Sequence, residues 1–438
     1  MLHTDRNIDI IVYGATGFTG KLVCQHLQKR YLDPSAEEKL NWAIGGRSQE
    51  KLEKVKSELG LPKDLKVFVA DSQDEKALHE MCKQSKSLVT LVGPYALYGD
   101  KLVAACVANG THYFDLTGET LWASRQISKL ESQARENKAM IVHSCGYDSV
   151  PSDLNAMLAV RELKKVAGQD VKIGRVTAGA KAKGGVSGGT IASMLNMYDE
   201  GVSQLRRAMS CYLLSPVKGH QKKDPSWVTK EPGLVGGFFI MAPHNGAIVR
   251  RSWGLLEASS DSAVKNERYG AKFSYDEYLI TPGQVAGFLL TLFFRIFALV
   301  MLVPQARSMV KKYATQPGDG PDEITRKNGY FKHITTAHSV EDDVQVRVTM
   351  SGNVDPRPLG AMTDMTLRGQ GYAWTAISIA ECAVTCVRAH NKLPPLAQQG
   401  GFLTPSTALG DALLDRLKST GTTKIETQVL RNDRKKTN

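Results

Sequence analysis

A short apolar run, Ile8–Tyr13, ends directly on Gly14-Ala15-Thr16-Gly17-Phe18-Thr19-Gly20, and a stretch containing Leu22, Val23 and Leu27 follows at once. A glycine triplet alone is a weak signal, but a strand, a glycine turn and a helix start in immediate succession form a demanding pattern. Glycine at the turn lets the chain reverse, and a position without a side chain lets backbone N–H groups approach a pyrophosphate. The helix N-terminus adds the positive end of its dipole. The segment predicts a dinucleotide site with Gly14, Thr16, Gly17, Phe18, Thr19 and Gly20 around the phosphates; a plain tight strand-to-helix turn is the structural alternative.

The rest of the first third repeats the pattern. Residues 42–44, 66–70, 87–92 and 140–143 read as strands, and residues 21–31, 48–59, 74–83, 99–108 and 121–137 as helices between them. Such alternation calls for parallel strands joined by right-handed helical crossovers. After about Pro151 it stops. Glycine-interrupted strands at 171–182 and 344–350 then stand among loops, and 222–237 and 316–327 read as loop insertions. A chain of 438 residues exceeds one ordinary core. The expected fold is α/β: an N-terminal Rossmann domain with a doubly wound parallel sheet (residues 1–150), followed by an α+β substrate domain (151–410) carrying an apolar membrane-associating segment at 285–303. A C-terminal helix and basic tail (411–438) complete the expected chain.

Cofactor choice is read at the end of the second strand, where an acidic residue would hold the ribose 2′-OH of NAD. The sequence there is Ala43-Ile44-Gly45-Gly46-Arg47-Ser48. Arg47 can stack on adenine and pair with a 2′-phosphate, Ser48 can donate a hydrogen bond to it, and no carboxylate repels it. This favours NADP(H), with NAD(H) as the alternative; Arg47 as a solvated residue and Ser48 as a helix N-cap are the structural readings. Gly93 and Pro94 end the fourth strand and suit a backbone wall beside the nicotinamide ribose, or an ordinary tight loop.

A formal net charge of +12 favours anionic partners without choosing among them. The one dense basic run, residues 431–436, lacks interleaved aromatics and reads as a solvated tail, so no nucleic-acid partner is expected. Seven scattered cysteines without a CxxC pair argue against disulfides and against a zinc site, so no metal is expected and a reducing, intracellular setting is. The first residues show no basic leader before an apolar core and cleavage site.

Seven motifs in order carry a family resemblance: GATGFTG (14–20), AIGGRSQEKL (43–52), LVGPYALYG (91–99), GTHYFDLTGE (110–119), CGYDSVPSD (145–153), GGVSGGTIAS (184–193) and GGFLTPSTALG (400–410). The chain resembles the saccharopine dehydrogenase-like oxidoreductases, together with the bacterial trans-acting enoyl reductases that share this pattern. The resemblance implies a Rossmann domain, a mixed catalytic-type domain and a hydride-transfer ancestry. It implies no substrate, and no cluster suited to an amino-acid dicarboxylate stands out.

Candidate chemistry beyond the cofactor lies at three places. Residues 112–119 form a further strand end in which Asp115, Thr117 and Glu119 alternate onto one face. These suit structural hydrogen bonding, or acid–base work if burial shifts a carboxyl. At the passage into the second domain, Tyr147 could donate a proton after hydride addition and Asp148 could orient it. Helix capping by Asp148 or Ser149, with Tyr147 packed as a hinge, is the structural reading there. Cys145 has no placeable histidine and carboxylate to make it a nucleophile. The glycine-rich residues 184–190 precede a helical stretch and could hold an anion, or simply connect.

Residues 285–303 (VAGFLLTLFFRIFALVMLV) are broken only by Thr291 and Arg295, and Arg307, Lys311 and Lys312 follow. Such a segment suits an anionic lipid surface, or else a buried or homo-oligomer interface helix. Entry as a monotopic helix or a shallow hairpin, with Arg295 snorkelling toward headgroups, is expected, because a full crossing would part 344–350 and 400–410 from the domain begun earlier. The sequence therefore points to an NADP(H)-dependent reductase for a hydrophobic or lipid-related carbonyl or enoyl substrate, at a lipid droplet or the cytosolic face of a membrane. A non-catalytic NADP(H)-binding scaffold on lipid surfaces is the rival.

Overall fold

Short apolar runs, each followed by a helix that returns the chain to the same edge, can pair only in parallel. A computed structural model describes residues 5–32, 38–183, 188–220, 226–313, 330–352 and 370–434. The strands of the first third are β1 (Ile8–Tyr13), β2 (Trp42–Gly46), β3 (Val67–Val69), β4 (Ser85–Thr90), β5 (His112–Phe114) and β6 (Met140–Val142). Later come β7 (Ile173–Lys183), β8 (Thr229–Glu231), β9 (Leu234–Phe238), β10 (Ser274–Ile280), β11 (Tyr330–Ser339), β12 (Val344–Gly352), β13 (Gly401–Leu403) and β14 (Thr423–Asn432).

The first sheet runs β13-β6-β5-β4-β1-β2-β3, with every pair parallel. All six residues of β1 are buried, as expected for a strand covered on both faces. The strand order reverses between β1 and β4, so a ligand crevice opens beyond their carboxyl ends. The second sheet runs β14-β12-β11-β7-β10-β9-β8; β10 lies parallel to β7 and the other pairs are antiparallel. The helix Ser149–Ala167 leaves the loop after β6 and lies on β11 and β12, and the helix Ala242–Ala258 packs against it and β10.

Four expectations need correction. The cofactor domain does not end at residue 150, because β13 extends its sheet and the helix Gln370–Arg388 packs on the helix Phe18–Leu27 and on β1, β4 and β5. Buried Glu381 fixes that helix, accepting from Tyr31 Oη at 2.7 Å and lying 2.6 Å from His26 Nε2. Residues 222–237, expected as a loop, contain β8 and most of β9; 221–225 lie outside the described residues, as do 316–327, 184–187 and 435–436. The basic run is no free tail at its start: Arg431 lies in β14, opposite Gln345 of β12. Finally, the apolar segment stays helical only as far as Val300. Gln284–Val300 ends before Pro304, and the next helix, Pro304–Tyr313, turns away by 108°. Among the described residues no single helix is long and apolar enough to cross a membrane.

Close packing at the first turn gives a direct test. A Cβ on Gly20 would lie 2.2 Å from Gly14 O and 2.8 Å from Ala15 Cα, both backbone atoms that cannot swing aside. Gly20→Val is expected to destabilise the protein by about 1–3 kcal/mol, read as a lower urea midpoint; an unchanged midpoint would show that the helix start shifts freely.

Candidate active site

The nucleotide half of the crevice is built from backbone. Gly14 takes φ +88°, and a Cβ there would meet Val92 Cγ2 at 2.8 Å, so the loops after β1 and β4 touch at the point where the strand order reverses. Gly14 N donates to Gly45 O at 2.9 Å and Gly17 N to Gly14 O at 3.1 Å, fixing the turn. Gly17 begins the helix Phe18–Leu27 with no side-chain cap. A Cβ at Gly17 would find only Gly14 O, at 3.4 Å, so the space before the first-turn N–H groups is open. This is the cradle a pyrophosphate requires. Thr16, Phe18 and Thr19 are half-buried around it, with Phe18 also packed on the core.

At the end of β2, Arg47 is exposed and has no hydrogen bond or ion pair among the described residues. Ser48 Oγ accepts from Lys51 N at 3.4 Å and caps the helix Gln49–Leu59, which leaves the hydroxyl proton free to be donated. Both positions fit a 2′-phosphate. Gly93 and Pro94 carry the chain from β4 into the short helix Tyr95–Tyr98.

Carboxylates tie the neighbouring loops together. Glu119 accepts from Tyr95 N at 2.8 Å, Ala96 N at 2.9 Å and Ser193 Oγ at 2.9 Å. Burial pushes its carboxyl above the usual range, against the pull of those backbone donors. Asp115 accepts from Thr117 N at 3.0 Å and Ser144 N at 2.9 Å, and pairs with His143 Nδ1 at 2.6 Å. Tyr95 Oη receives Leu116 N at 3.0 Å and donates to Thr90 O at 3.1 Å. The alternating residues 115, 117 and 119 thus brace loops, as their structural reading holds.

Tyr147 packs against Phe331 at 4.7 Å and Trp374 at 6.4 Å between ring centres, and its N–H donates to Thr375 Oγ1 at 3.1 Å. Burial raises the phenol far above its ordinary value, so it stays protonated. Burial pushes Asp148 up to about 6; the negative charge of Glu277 adds to this and His333 opposes it. Asp148 begins the helix Ser149–Ala167 without a side-chain capping bond. Cys145 is fully buried, and burial drives its thiol up, which removes it as a nucleophile. Of the glycine-rich stretch 184–190, residues 184–187 lie outside the described residues.

The structure brings to this place groups that the sequence did not single out: His244, Asn245, Glu277 and His333. His244 Nε2 lies 2.9 Å from Ser144 Oγ and its Nδ1 2.8 Å from Thr120 Oγ1. Burial lowers its pKa to about 4, so it is neutral at pH 7. Only one local signal existed. In the alternating run FKHIT, His333 shares a face with the core residue Phe331 and with Thr335.

Residues 10–142 match the family model described as the saccharopine dehydrogenase NADP binding domain. A Mycobacterium tuberculosis relative bearing the name trans-acting enoyl reductase is 34% identical over 449 residues, covering 96% of this chain and 98% of that protein. The chain belongs to the saccharopine dehydrogenase-like family. A Mycobacterium ulcerans trans-acting enoyl reductase is 30% identical over 453 residues, with the same coverage. The solved Saccharomyces cerevisiae saccharopine dehydrogenase (L-Glu forming) aligns over 96% of this chain and 99% of its own, at 12% identity and a TM-score of 0.48. This saccharopine dehydrogenase-like protein is an NADP(H)-binding oxidoreductase, and the glycine cradle with unpaired Arg47 fits that cofactor.

NADPH should therefore bind more tightly than NADH, and Arg47→Ala should narrow the gap by about 1–3 kcal/mol, the scale of a charge-assisted hydrogen bond. Fluorescence titration of both cofactors measures it; equal affinities in the unmutated protein would sink the assignment of Arg47.

Proposed function

We propose that this oxidoreductase reduces the activated double bond of a hydrophobic, lipid-related enoyl substrate. The observation that carries the reading is the half-buried pair Tyr147 and Asp148 in the loop after β6, on the sheet edge that also holds the cofactor cradle; burial keeps the Tyr147 phenol protonated and raises the Asp148 carboxyl to about 6. The names of the mycobacterial relatives support the enoyl class.

When bound, NADPH supplies the hydride. The chain does the rest: the loops after β4, β5 and β6 bound the reacting space, and Glu119 and Asp115 hold those loops in place. Tyr147 and Asp148 carry the proton needed at the α-carbon once hydride has reached the β-carbon. A hydrophobic carbonyl would need the same proton on oxygen. Tyr147→Phe should lower turnover by roughly 10²-fold with NADPH affinity unchanged. NADPH oxidation is followed with enoyl thioesters and with long-chain ketones. Loss of thermal stability without a specific loss of turnover would leave Tyr147 as a hinge only.

The same reading places the reaction inside the cell, at a lipid droplet or the cytosolic face of a membrane. Its support is the helix Gln284–Val300, which exposes Val285, Phe288, Leu289, Phe293, Ile296 and Leu299. Its opposite side is anchored: Gly287 meets the backbone of Gly236 and Gly237, and Phe238 N donates to Thr291 Oγ1 at 2.9 Å. Arg295 lies 3.6 Å over the ring of Trp227, which stacks on Phe288 at the side of this face. On the next helix, exposed Lys312 suits anionic headgroups, beside Lys311, which pairs with Asp199 at 2.7 Å. The full chain should float with phosphatidylcholine–phosphatidylserine vesicles, and Phe293→Glu with Ile296→Glu should sink. Flotation unchanged by the pair would refute the docking face, and a concentration-dependent dimer in place of flotation would make it an interface between copies.

A further inference from the structure

One helix of the second domain, Gly188–Asp199, is tied both to the apolar helix pair and to the loop beside the cofactor cradle. Among its described side chains only Leu195 is buried. A helix with so little apolar burial is held in place by the polar ties it makes, and its position is easily shifted.

Two ties reach the first domain. Ser193 Oγ donates to Glu119 Oε1 at 2.9 Å, and Glu119 also accepts from Tyr95 N at 2.8 Å and Ala96 N at 2.9 Å. Just past the helix end, Glu200 receives both terminal nitrogens of Arg125, at 2.9 and 3.3 Å. Glu119 is the N-cap of the helix Thr120–Glu136, and Arg125 lies in its second turn. At 1.5 Å per residue, Glu119 and Arg125 stand roughly 9 Å apart along one helix, and Ser193 and Glu200 roughly 10 Å apart along the other. The matching spans lay the two helices side by side, running the same way.

The third tie reaches the apolar pair. Asp199 accepts from Arg307 Nε at 2.8 Å and from Lys311 Nζ at 2.7 Å. The Arg307 guanidinium also donates to Met301 O at 2.8 Å and Leu302 O at 3.1 Å, the carbonyls at the bend between Gln284–Val300 and Pro304–Tyr313. An open surface ion pair contributes little. The Arg307 side chain is only 15% exposed, and its planar fork fixes the bend and Asp199 relative to each other. A continuous set of contacts thus runs from the exposed face of Gln284–Val300 through Arg307, Asp199, Ser193 and Glu119. It ends on the N–H groups of Tyr95 and Ala96, which directly follow Gly93 and Pro94.

We propose that Asp199 and Ser193 are positioning residues through which a lipid surface seated on the helix Gln284–Val300 tightens the NADPH site. Docking fixes the bend at Arg307, Asp199 then holds the helix Gly188–Asp199 against the first domain, and Ser193 sets Glu119 and the loop after β4. Fixing a loosely packed helix ahead of the cofactor removes an ordering cost that NADPH would otherwise meet. The inference rests on the docking face proposed above and is independent of the proton donor. Linkage makes it reciprocal: the factor by which lipid raises NADPH affinity is the factor by which NADPH raises lipid affinity. A tie that served stability alone would produce neither.

The test uses the full chain and phosphatidylcholine–phosphatidylserine vesicles. NADPH affinity is titrated by fluorescence with and without vesicles, and vesicle partitioning is measured by flotation with and without saturating NADPH. Both should rise by the same factor, about fivefold or more. Asp199→Ala should bring that factor close to one, while NADPH affinity without vesicles and flotation without NADPH stay as they are. Ser193→Ala, at the other end of the helix, should abolish the factor as well, with unchanged flotation as its folding check. Should one variant fail to fold, the other decides. An unmutated chain that floats but binds NADPH equally well with and without vesicles overturns the inference and leaves the docking face standing. A chain that does not float loses the docking face and the coupling together. A factor that persists in the folded variants overturns the route through this helix.

Discussion

Parallel pairing of β1 with both β2 and β4 is the constraint on which the rest of the molecule depends. A strand hydrogen-bonded on both sides and covered on both faces is apolar wherever no partner meets its polar groups, and β1 is apolar except for Asp9, which pairs with Lys86 and Arg388. Because every neighbour runs the same way, each chain segment leaves the sheet at one edge. That edge therefore collects the glycine turn, Arg47, the Gly93–Pro94 loop, the Asp115–Glu119 braces and Tyr147–Asp148. No chemistry brought them together; strand direction did.

The edge is held by charge more than by apolar packing. Glu119 gathers donors from two further segments and Asp115 from one besides its own loop, so loops that would otherwise be the loosest part of an α/β domain are tied by charge-assisted bonds. Deeper in, the second sheet contributes His333 and Glu277 over a strand whose alanines leave room for them.

What could be read in the sequence follows from distance along the chain. The glycine turn, the end of β2 and the first six strands are local patterns, in which a few adjacent residues carry the whole signal. β13 was not legible, since the three residues of Gly401–Leu403 have no period, and their partner Met140 lies far back in the chain. Glu277 and His333 were hidden for the same reason: each is an unremarkable polar residue in its own strand, and only register across β7 makes them neighbours. The apolar run at 285–303 was visible as composition, but the bend after Val300 and the glycine contact with β9 depend on tertiary packing. Tyr147 shows both halves of the lesson, since its packing against Phe331 and Trp374 is seen directly while the donor role proposed for it rests on chemistry.

The return of residues 370–403 to the first sheet bears on how the protein is made. During synthesis the first six strands emerge long before the helix that covers β1, β4 and β5 and before the strand that closes the edge of β6. Until then an apolar sheet face and an unpaired strand edge remain open, the features that make partly folded chains stick to one another. The cofactor domain, first in the gene's reading order, is among the last parts to be finished, and a ribosome-bound intermediate of this chain is a natural client for chaperones.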